Sequence, residues 1–222
     1  MSHIPLDQQL LDACAALMLL LSFAMLSQRR IVSLVNLYAI QGGALAAATL
    51  LVAWRTGEGH LYLSAALTIA LKVMFLPWLL HRLIRRLEVY WDTEPLLNVT
   101  GTMLAGLLVV VFAFGLAQPI TQLASTATRG AIGIAVSVVL LAFLMMITRR
   151  KAMSQVVGFL SMENGLFFAA MSATYGMPMV VELGVALDVL VAMLVLGVFF
   201  FQIRERFDSL DLHHLESLKE RN

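Results

Sequence analysis

The stretch TRRKAMSQVVGFLSMENGLFFAA, Thr148–Ala170, places a basic cluster directly before an apolar segment. Glu163 lies inside that segment, and its neighbours at helical spacing, such as Leu160 and Phe167, are apolar. A carboxylate at bilayer depth costs about 2.5–3.5 kcal/mol on insertion scales, so its default interpretation is functional. The stretch therefore predicts a membrane helix that carries a functional carboxylate.

The composition of the whole chain is that of a membrane protein. Of its 222 residues, 60% are hydrophobic and only 13% are charged. Apolar runs of about twenty residues recur, which is the length of a membrane-spanning helix, whereas the strands of a membrane barrel alternate over about ten residues. These features predict an all-α, polytopic membrane protein.

The apolar runs predict seven transmembrane helices, each about twenty residues long. Their predicted ranges are Gln9–Leu26, Ile31–Trp54, His60–His81, Asn98–Gln118, Gly130–Thr148, Ser154–Thr174 and Met179–Ile203.

Lysine and arginine residues are divided unequally between the two sides of this arrangement. One of the 15, Lys72, lies inside a predicted helix. Only Arg55, after the second span, and Arg129, before the fifth, lie on the same side as the N-terminus. Because basic residues accumulate on the cytoplasmic side, the N-terminus is predicted outside and the C-terminus in the cytoplasm. The remaining twelve are Arg29, Arg30, Arg82, Arg85, Arg86, Arg149, Arg150, Lys151, Arg204, Arg206, Lys219 and Arg221.

Helices one to three and five to seven read as two copies of one unit. A shift of 122 residues places IVSLVNLYAIQGGALAAA over MSQVVGFLSMENGLFFAA, so that Gln41 matches Glu163. A shift of 116 places LTIALKV over LGVALDV, which matches Lys72 with Asp188. Helix four lies between the copies, so both have the same orientation across the membrane.

This repeat predicts the organisation of the chain. A linking helix, with Gly101 and Ala105 as a small pair that permits close packing, joins the two units. The predicted parts are an N-terminal three-helix repeat with its cytoplasmic loop (1–97), the linking helix (98–128), a C-terminal three-helix repeat (129–203) and a cytoplasmic tail (204–222).

Four ionisable residues fall within the predicted spans. Lys72, Glu163 and Asp188 lie nine to twelve residues into their helices, about 14–18 Å from one end and near the middle of a core about 30 Å thick. Buried carboxylates and lysines at this depth are typical of proton relays. Glu182 lies only three residues into helix seven, near the outer surface, where water can solvate it. A buried lysine–carboxylate salt bridge that only fixes helix packing is the alternative.

Pro77 follows Lys72 by five residues in predicted helix three. Proline has no backbone N–H and cannot bond the Val73 carbonyl, so a kink is expected beside the lysine.

The sequence also argues against several other chemistries. The one cysteine, Cys14, excludes a disulfide within the chain and a thiolate-held cluster. His213–His214 lies in a polar tail and lacks the usual spacing of metal ligands. No metal site, cofactor, hydrolytic triad or nucleic-acid-binding face is expected, so the chain would serve an enzyme only as an accessory subunit.

Two predicted cytoplasmic segments are long enough to meet a partner. Arg82–Pro95 is aromatic and basic, and Arg204–Asn222 has leucines at helical spacing among charges. Docking to another subunit, binding at the membrane surface and simple solvation all remain open for both segments.

Several motifs together resemble one known family, the membrane subunit called component E of hydrogenase-4, a complex-I-like energy-converting hydrogenase. They are ALTIALKVMFLPWLL around Lys72, QVVGFLSMENG around Glu163, VELGVALDVLVAMLVL around Asp188 and the tail FDSLDLHHLESLK. The last three helices are also similar to subunit K of respiratory complex I and to the C subunit of multisubunit sodium–proton antiporters. Glu163 and Asp188 match the two carboxylate positions of that proton path, with aspartate in place of a second glutamate.

The resemblance implies a role as a non-catalytic membrane-arm subunit of a group 4 hydrogenase-type oxidoreductase in the bacterial inner membrane. It implies antiporter-like membrane subunits as neighbours, and nickel–iron and iron–sulfur centres in peripheral redox subunits rather than in this chain. Electron transfer there would drive proton or sodium translocation. A subunit of a cation–proton antiporter without a redox partner, and a structural scaffold of the membrane arm, are the alternatives.

Overall fold

The computed structural model describes residues 6–87, 98–123 and 126–174, together with Met193 and Gly197, but not the side chains of residues 120–129. Nearly all of these residues belong to the first of two compact units, Met1–Leu187. The second unit, Asp188–Asn222, is described only at two helical residues, Met193 and Gly197.

Helices form all the regular structure in the described ranges. The α-helices are α1 (Leu6–Ser27), α2 (Ile31–Thr56), α3 (Gly59–Thr68), α4 (Leu76–Leu87), α5 (Val99–Leu123), α6 (Thr126–Thr148) and α7 (Ala152–Thr174), and a π-helical segment, Ile69–Phe75, joins α3 to α4.

These helices confirm the predicted all-α membrane fold. Six helical spans in the described part of the chain are long and apolar enough to cross a membrane, with α3, the π segment and α4 forming one of them. They correspond to the first six predicted helices, with ends that differ by a few residues. The seventh, Met179–Ile203, lies outside the described residues except at Met193 and Gly197.

The end of α2 shows how the sequence sets a helix boundary. Gly57 adopts a left-handed conformation, with φ of 73°, and its N–H donates to the Ala53 carbonyl at 2.9 Å. Glycine has no Cβ to oppose this conformation, so it ends the helix and turns the chain towards α3.

The two helices that begin each predicted repeat pack against their counterparts. Helix α1 contacts α2, α5 and α6, and α2 contacts α7 as well as the π segment and α4. Thus α1 meets α6 and α2 meets α7, which are the pairs that the 122-residue shift matches. The division of the chain into repeats itself stays a prediction.

Helix α5 lies at the edge of the described bundle, with only 17% of its membrane-spanning window buried. Its close contact is made at Gly106, where an added Cβ would lie 2.9 Å from Leu26 and 3.2 Å from Leu141. The prediction that placed close packing at Gly101 is not supported, since no described atom lies within 4 Å of a Cβ built there.

Alternating helix directions gather the basic residues of the connecting segments at one end of the bundle, which we call the basic end. There Arg149, only 4% exposed, donates from Nη2 to the carbonyls of Leu26 at 2.9 Å and Gln28 at 2.6 Å. A cation at a helix C-terminus satisfies free carbonyls and complements the helix dipole. Arg149 therefore ties the end of α1 to the α6–α7 connection.

Replacing Arg149 by Met should lower the free energy of unfolding by roughly 2–3 kcal/mol, because buried carbonyls lose charged hydrogen-bond donors. The matched control is Lys151→Met, which removes an exposed charge two residues away and should change stability by less than about 0.5 kcal/mol. The thermal unfolding midpoint of the purified chain in detergent measures both. Equal midpoints for the two variants would contradict this role of Arg149.

Candidate functional site

Lys72 occupies the middle of the π segment and is only 1% exposed. A π-helix has hydrogen bonds between residues five apart, one more than in an α-helix. Here the N–H of Leu76 donates to the carbonyl of Leu71, five residues earlier. Pro77 follows directly and has no N–H to continue either ladder. The structure thus has a π segment around Lys72, directly before the proline, where the sequence predicted a kink beside the lysine. Such segments occur frequently at functional sites.

Glu163, on α7, is 2% exposed and forms an ion pair with Lys72. Its Oε1 accepts a hydrogen bond from Lys72 Nζ at 2.8 Å. Phe167 lies one turn further along α7, with its ring centroid 5.5 Å from the same ammonium nitrogen. A carboxylate and an aromatic face together offset part of the cost of removing an ammonium group from water.

The ion pair lies near the middle of the membrane-spanning bundle. Lys72 is thirteen residues beyond the start of α3 and Glu163 eleven beyond the start of α7, so each is about 16–20 Å from one end of its span. Two of the four ionisable residues predicted within the spans are therefore in contact. The other two, Glu182 and Asp188, lie outside the described residues.

A pair of buried amides lies beside the ion pair. Gln41 on α2 and Asn164 on α7, both 0% exposed, are joined by a hydrogen bond of 3.2 Å from Asn164 Nδ2 to Gln41 Oε1. Gln41 Nε2 donates to Ser22 Oγ at 2.9 Å, and Ser22 Oγ donates to the Met18 carbonyl at 2.9 Å. Hydrogen bonds thus link α1, α2 and α7 at the level of the charges.

The amide pair was not predicted as a contact. The sequence singled out Gln41 only as the repeat counterpart of Glu163. Amides are not ionisable, so Gln41 and Asn164 do not stand out as charges within a span. Its signal was available, because buried amides in an apolar helix require hydrogen-bond partners. Asn164 Oδ1 is buried and has no hydrogen-bond partner within the described ranges, which leaves an acceptor beside Glu163.

Gly42 brings the π segment close to α2. An added Cβ at Gly42 would lie 3.2 Å from Lys72 Cβ and 3.6 Å from its carbonyl carbon. Small residues allow two membrane helices to approach closely. Gly42 therefore sets the distance between Lys72 and the helix that carries Gln41.

A cavity of about 220 Å³ opens at the end of the bundle opposite the basic end. Asp12, Arg55 and Ser172 are among its polar lining residues, and Phe168 and Met171 are among its apolar ones. Both apolar side chains also belong to the buried core that surrounds Phe167. Since Phe168 follows Glu163 by five residues on α7, an apolar layer separates this cavity from the ion pair.

The described residues hold no group of three or more histidine, cysteine, aspartate or glutamate side chains suited to a metal. The arrangement can exchange a proton between two groups in direct contact, and Asn164 Oδ1 can accept a further hydrogen bond.

The fold and the site define a class of protein, a polytopic helical membrane protein with an ion pair and hydrogen-bonded amides buried at mid-membrane depth. The chain is 36% identical over 212 residues to the uncharacterized protein Rv0085 of Mycobacterium tuberculosis, covering 95% of this chain and 96% of that protein. It belongs to the same family as that mycobacterial protein.

A more distant similarity extends to the hydrogenase-4 component E of Escherichia coli K12, with 25% identity over 206 residues, 92% of this chain and 95% of that protein. The component E of Shigella flexneri matches to the same extent. No family model matches the chain. No solved structure matches it either.

Replacing Gly42 by Ala should lower stability relative to Gly43→Ala by about 1 kcal/mol, because only the first added methyl group presses on Lys72. Both substitutions gain the same helix propensity, which cancels in the comparison. At Gly43 an added Cβ has no described atom within 4 Å. Chemical or thermal unfolding of the two variants in detergent measures the difference, and a Gly42→Ala protein as stable as Gly43→Ala would contradict the close approach.

Proposed function

We propose that this protein is a non-catalytic membrane-arm subunit of a complex-I-like, group 4 hydrogenase-type oxidoreductase. In this role it contributes to the translocation of protons, or of sodium, coupled to electron transfer. The observation that carries the proposal is the Lys72–Glu163 ion pair, 2.8 Å long and 1% and 2% exposed, in a membrane-spanning bundle. The similarity to hydrogenase-4 component E along nearly the whole chain supports the assignment to such a complex.

The ion pair provides a step for proton movement. Transfer of one proton from Lys72 Nζ to Glu163 Oε1 converts two charges into two neutral groups across a hydrogen bond that already exists. Removing charges from water costs several kcal/mol per ion, and mutual attraction offsets that cost only in good geometry. A charge that arrives near the pair would bias the position of this proton, since two charges 4 Å apart interact by about 4 kcal/mol at an effective dielectric constant of 20.

Asp188 is the group that we propose next in the relay. It matches Lys72 in the predicted repeat, and it corresponds to the second carboxylate position implied by the family resemblance. In this proposal Glu163 and Asp188 carry the proton, and Lys72 modulates them or forms a separate relay. Glu182, near the outer surface, would exchange protons with outer water.

The polar neighbours determine where a proton can go from Glu163. The acceptor at Asn164 Oδ1 and the bonds through Gln41 to Ser22 extend the polar region towards α1. The cavity lined by Asp12 and Arg55 would provide room for water at the end of the bundle opposite the basic end. The apolar layer at Phe168 would limit proton leakage between that space and the pair, and a coupled translocator needs such a barrier.

The proposed setting is the bacterial inner membrane, with the N-terminus outside and the C-terminus in the cytoplasm. Antiporter-like subunits would flank the protein in the membrane arm. Peripheral subunits would hold the nickel–iron and iron–sulfur centres. A cation–proton antiporter without redox subunits would contain the same relay with different partners.

A structural scaffold is the second candidate function, and one observation favours it. Lys72 and Glu163 are in direct contact and almost fully enclosed, as in a salt bridge that only fixes helix packing. A substitution that keeps the shape of the site while removing the titrating group separates the two functions.

Replacing Glu163 by Gln should abolish or greatly reduce ion translocation by the purified complex while the subunits remain assembled, because glutamine is isosteric and does not titrate. Glu163→Asp should retain part of the activity, because a shorter carboxylate still exchanges protons. Translocation by reconstituted proteoliposomes, normalised to electron-transfer turnover, measures both.

Identification of co-purified subunits by mass spectrometry is the accompanying control. Full coupled translocation by an assembled Glu163→Gln complex would contradict the relay and favour the scaffold. Hydrogenase subunits among the partners are expected, whereas antiporter subunits alone would contradict the assignment to an oxidoreductase.

A further inference from the structure

One face of the third membrane span changes character along its length. Trp78, Arg82, Arg85 and Arg86 are all exposed on α4, at helical spacings that place them on one side. The opposite side of α4 packs into the bundle through the buried residues Leu79, Leu80, Leu83 and Ile84. We call the exposed side, together with Met74 and Phe75, the α4 stripe.

The aromatic part of the stripe is continuous with its charged part. The rings of Phe75 and Trp78 have centroids 6.4 Å apart, and the guanidinium carbon of Arg82 lies 5.4 Å from the Trp78 ring centroid. Met74 and Trp78 are 66% and 55% exposed. An apolar surface therefore leads directly to a guanidinium group that lies against an aromatic face.

The depth of these residues places the change at the membrane boundary. Arg82 lies ten residues beyond Lys72, about 15 Å along the span, which is half of a hydrocarbon core about 30 Å thick. The three arginines are then at the level of lipid headgroups, and Met74 and Phe75 at the level of acyl chains. Tryptophan is typical of the position between them.

Arg82, Arg85 and Arg86 form a basic cluster on α4. Helix α4, LPWLLHRLIRRL, contains no acidic residue, and none of the described carboxylates lies within ion-pair distance of Arg82, Arg85 or Arg86. Guanidinium groups bind phosphate oxygens in bidentate geometry, and several basic residues at the headgroup level attract anionic lipids.

We propose that the α4 stripe is a binding site for an anionic phospholipid. Its phosphate contacts Arg82, Arg85 and Arg86, and an acyl chain lies along Trp78, Phe75 and Met74. The ligand must combine negative charge at headgroup depth with an apolar chain immediately above it, and a phospholipid of the same leaflet has both in the required order. This site is separate from the relay and does not depend on it.

The test uses the full chain with Trp54→Phe and Trp91→Phe, so that Trp78 is the only tryptophan. The protein is reconstituted into nanodiscs in which a small fraction of either phosphatidylglycerol or phosphatidylethanolamine carries brominated acyl chains. Bromine quenches tryptophan fluorescence on contact, so brominated phosphatidylglycerol should quench Trp78 several-fold more than brominated phosphatidylethanolamine at the same fraction.

The combined variant Arg82→Gln, Arg85→Gln and Arg86→Gln should weaken the apparent affinity for phosphatidylglycerol by roughly 100-fold, since each basic residue contributes about fivefold. The matched control, Arg29→Gln, Arg150→Gln and Lys151→Gln, removes three exposed charges from the same end and should preserve the preference. A third variant, Arg82→Lys, Arg85→Lys and Arg86→Lys, retains the positive charge and should keep part of the preference for phosphatidylglycerol.

Equal quenching by the two lipids, or loss of the preference in the matched control, would overturn the proposal. Loss of a co-purified subunit on the three Arg→Gln changes, with the lipid preference intact, would also overturn it and assign the stripe to an acidic protein partner. If the glutamine variant does not fold, the lysine variant still tests the proposal. The proposal requires that the lysine variant retain a preference for phosphatidylglycerol.

Discussion

The constraint on which this structure depends is the burial of an ammonium group and a carboxylate in the middle of a membrane. Neither Lys72 nor Glu163 can be solvated there, so each requires the other within hydrogen-bond distance. Their contact of 2.8 Å joins the third span to α7 through two residues that are 91 positions apart in sequence. The relative placement of these helices is therefore fixed by electrostatics, in surroundings where apolar side chains pack equally well against lipid and protein.

Other local features serve the same contact. Gly42 lets α2 approach Lys72 closely, and the π segment sets the position of that residue before α4 begins at Leu76. The Gln41–Asn164 hydrogen bond holds α2 to α7 one residue away from the ion pair. Arg149 makes a second buried polar contact between helices at the basic end, where its guanidinium group binds free carbonyls at the end of α1. Polar contacts thus provide specificity within an apolar bundle.

Sequence reasoning predicted the helices better than it predicted their contacts. Hydropathy located six spans because each must match the bilayer thickness, and Lys72 and Glu163 were visible as rare charges. A lysine–carboxylate salt bridge was one of the alternatives, but the sequence did not say which carboxylate pairs with Lys72, since pairing depends on three-dimensional helix packing. The π segment was missed because Pro77 permits either a kink or a wider turn. Gln41 and Asn164 were missed as a pair because amides have no charge, and Asp188 stays a prediction.

A double-mutant cycle between Lys72 and Glu163 tests the central claim most directly. Lys72→Met and Glu163→Leu are made singly and together, and the free energy of unfolding of all four proteins is measured in detergent. We predict that each single change costs about 3–5 kcal/mol by leaving a buried charge without its partner, and that the double variant recovers most of this loss. Costs that simply add, with no coupling between the two positions, would contradict the account.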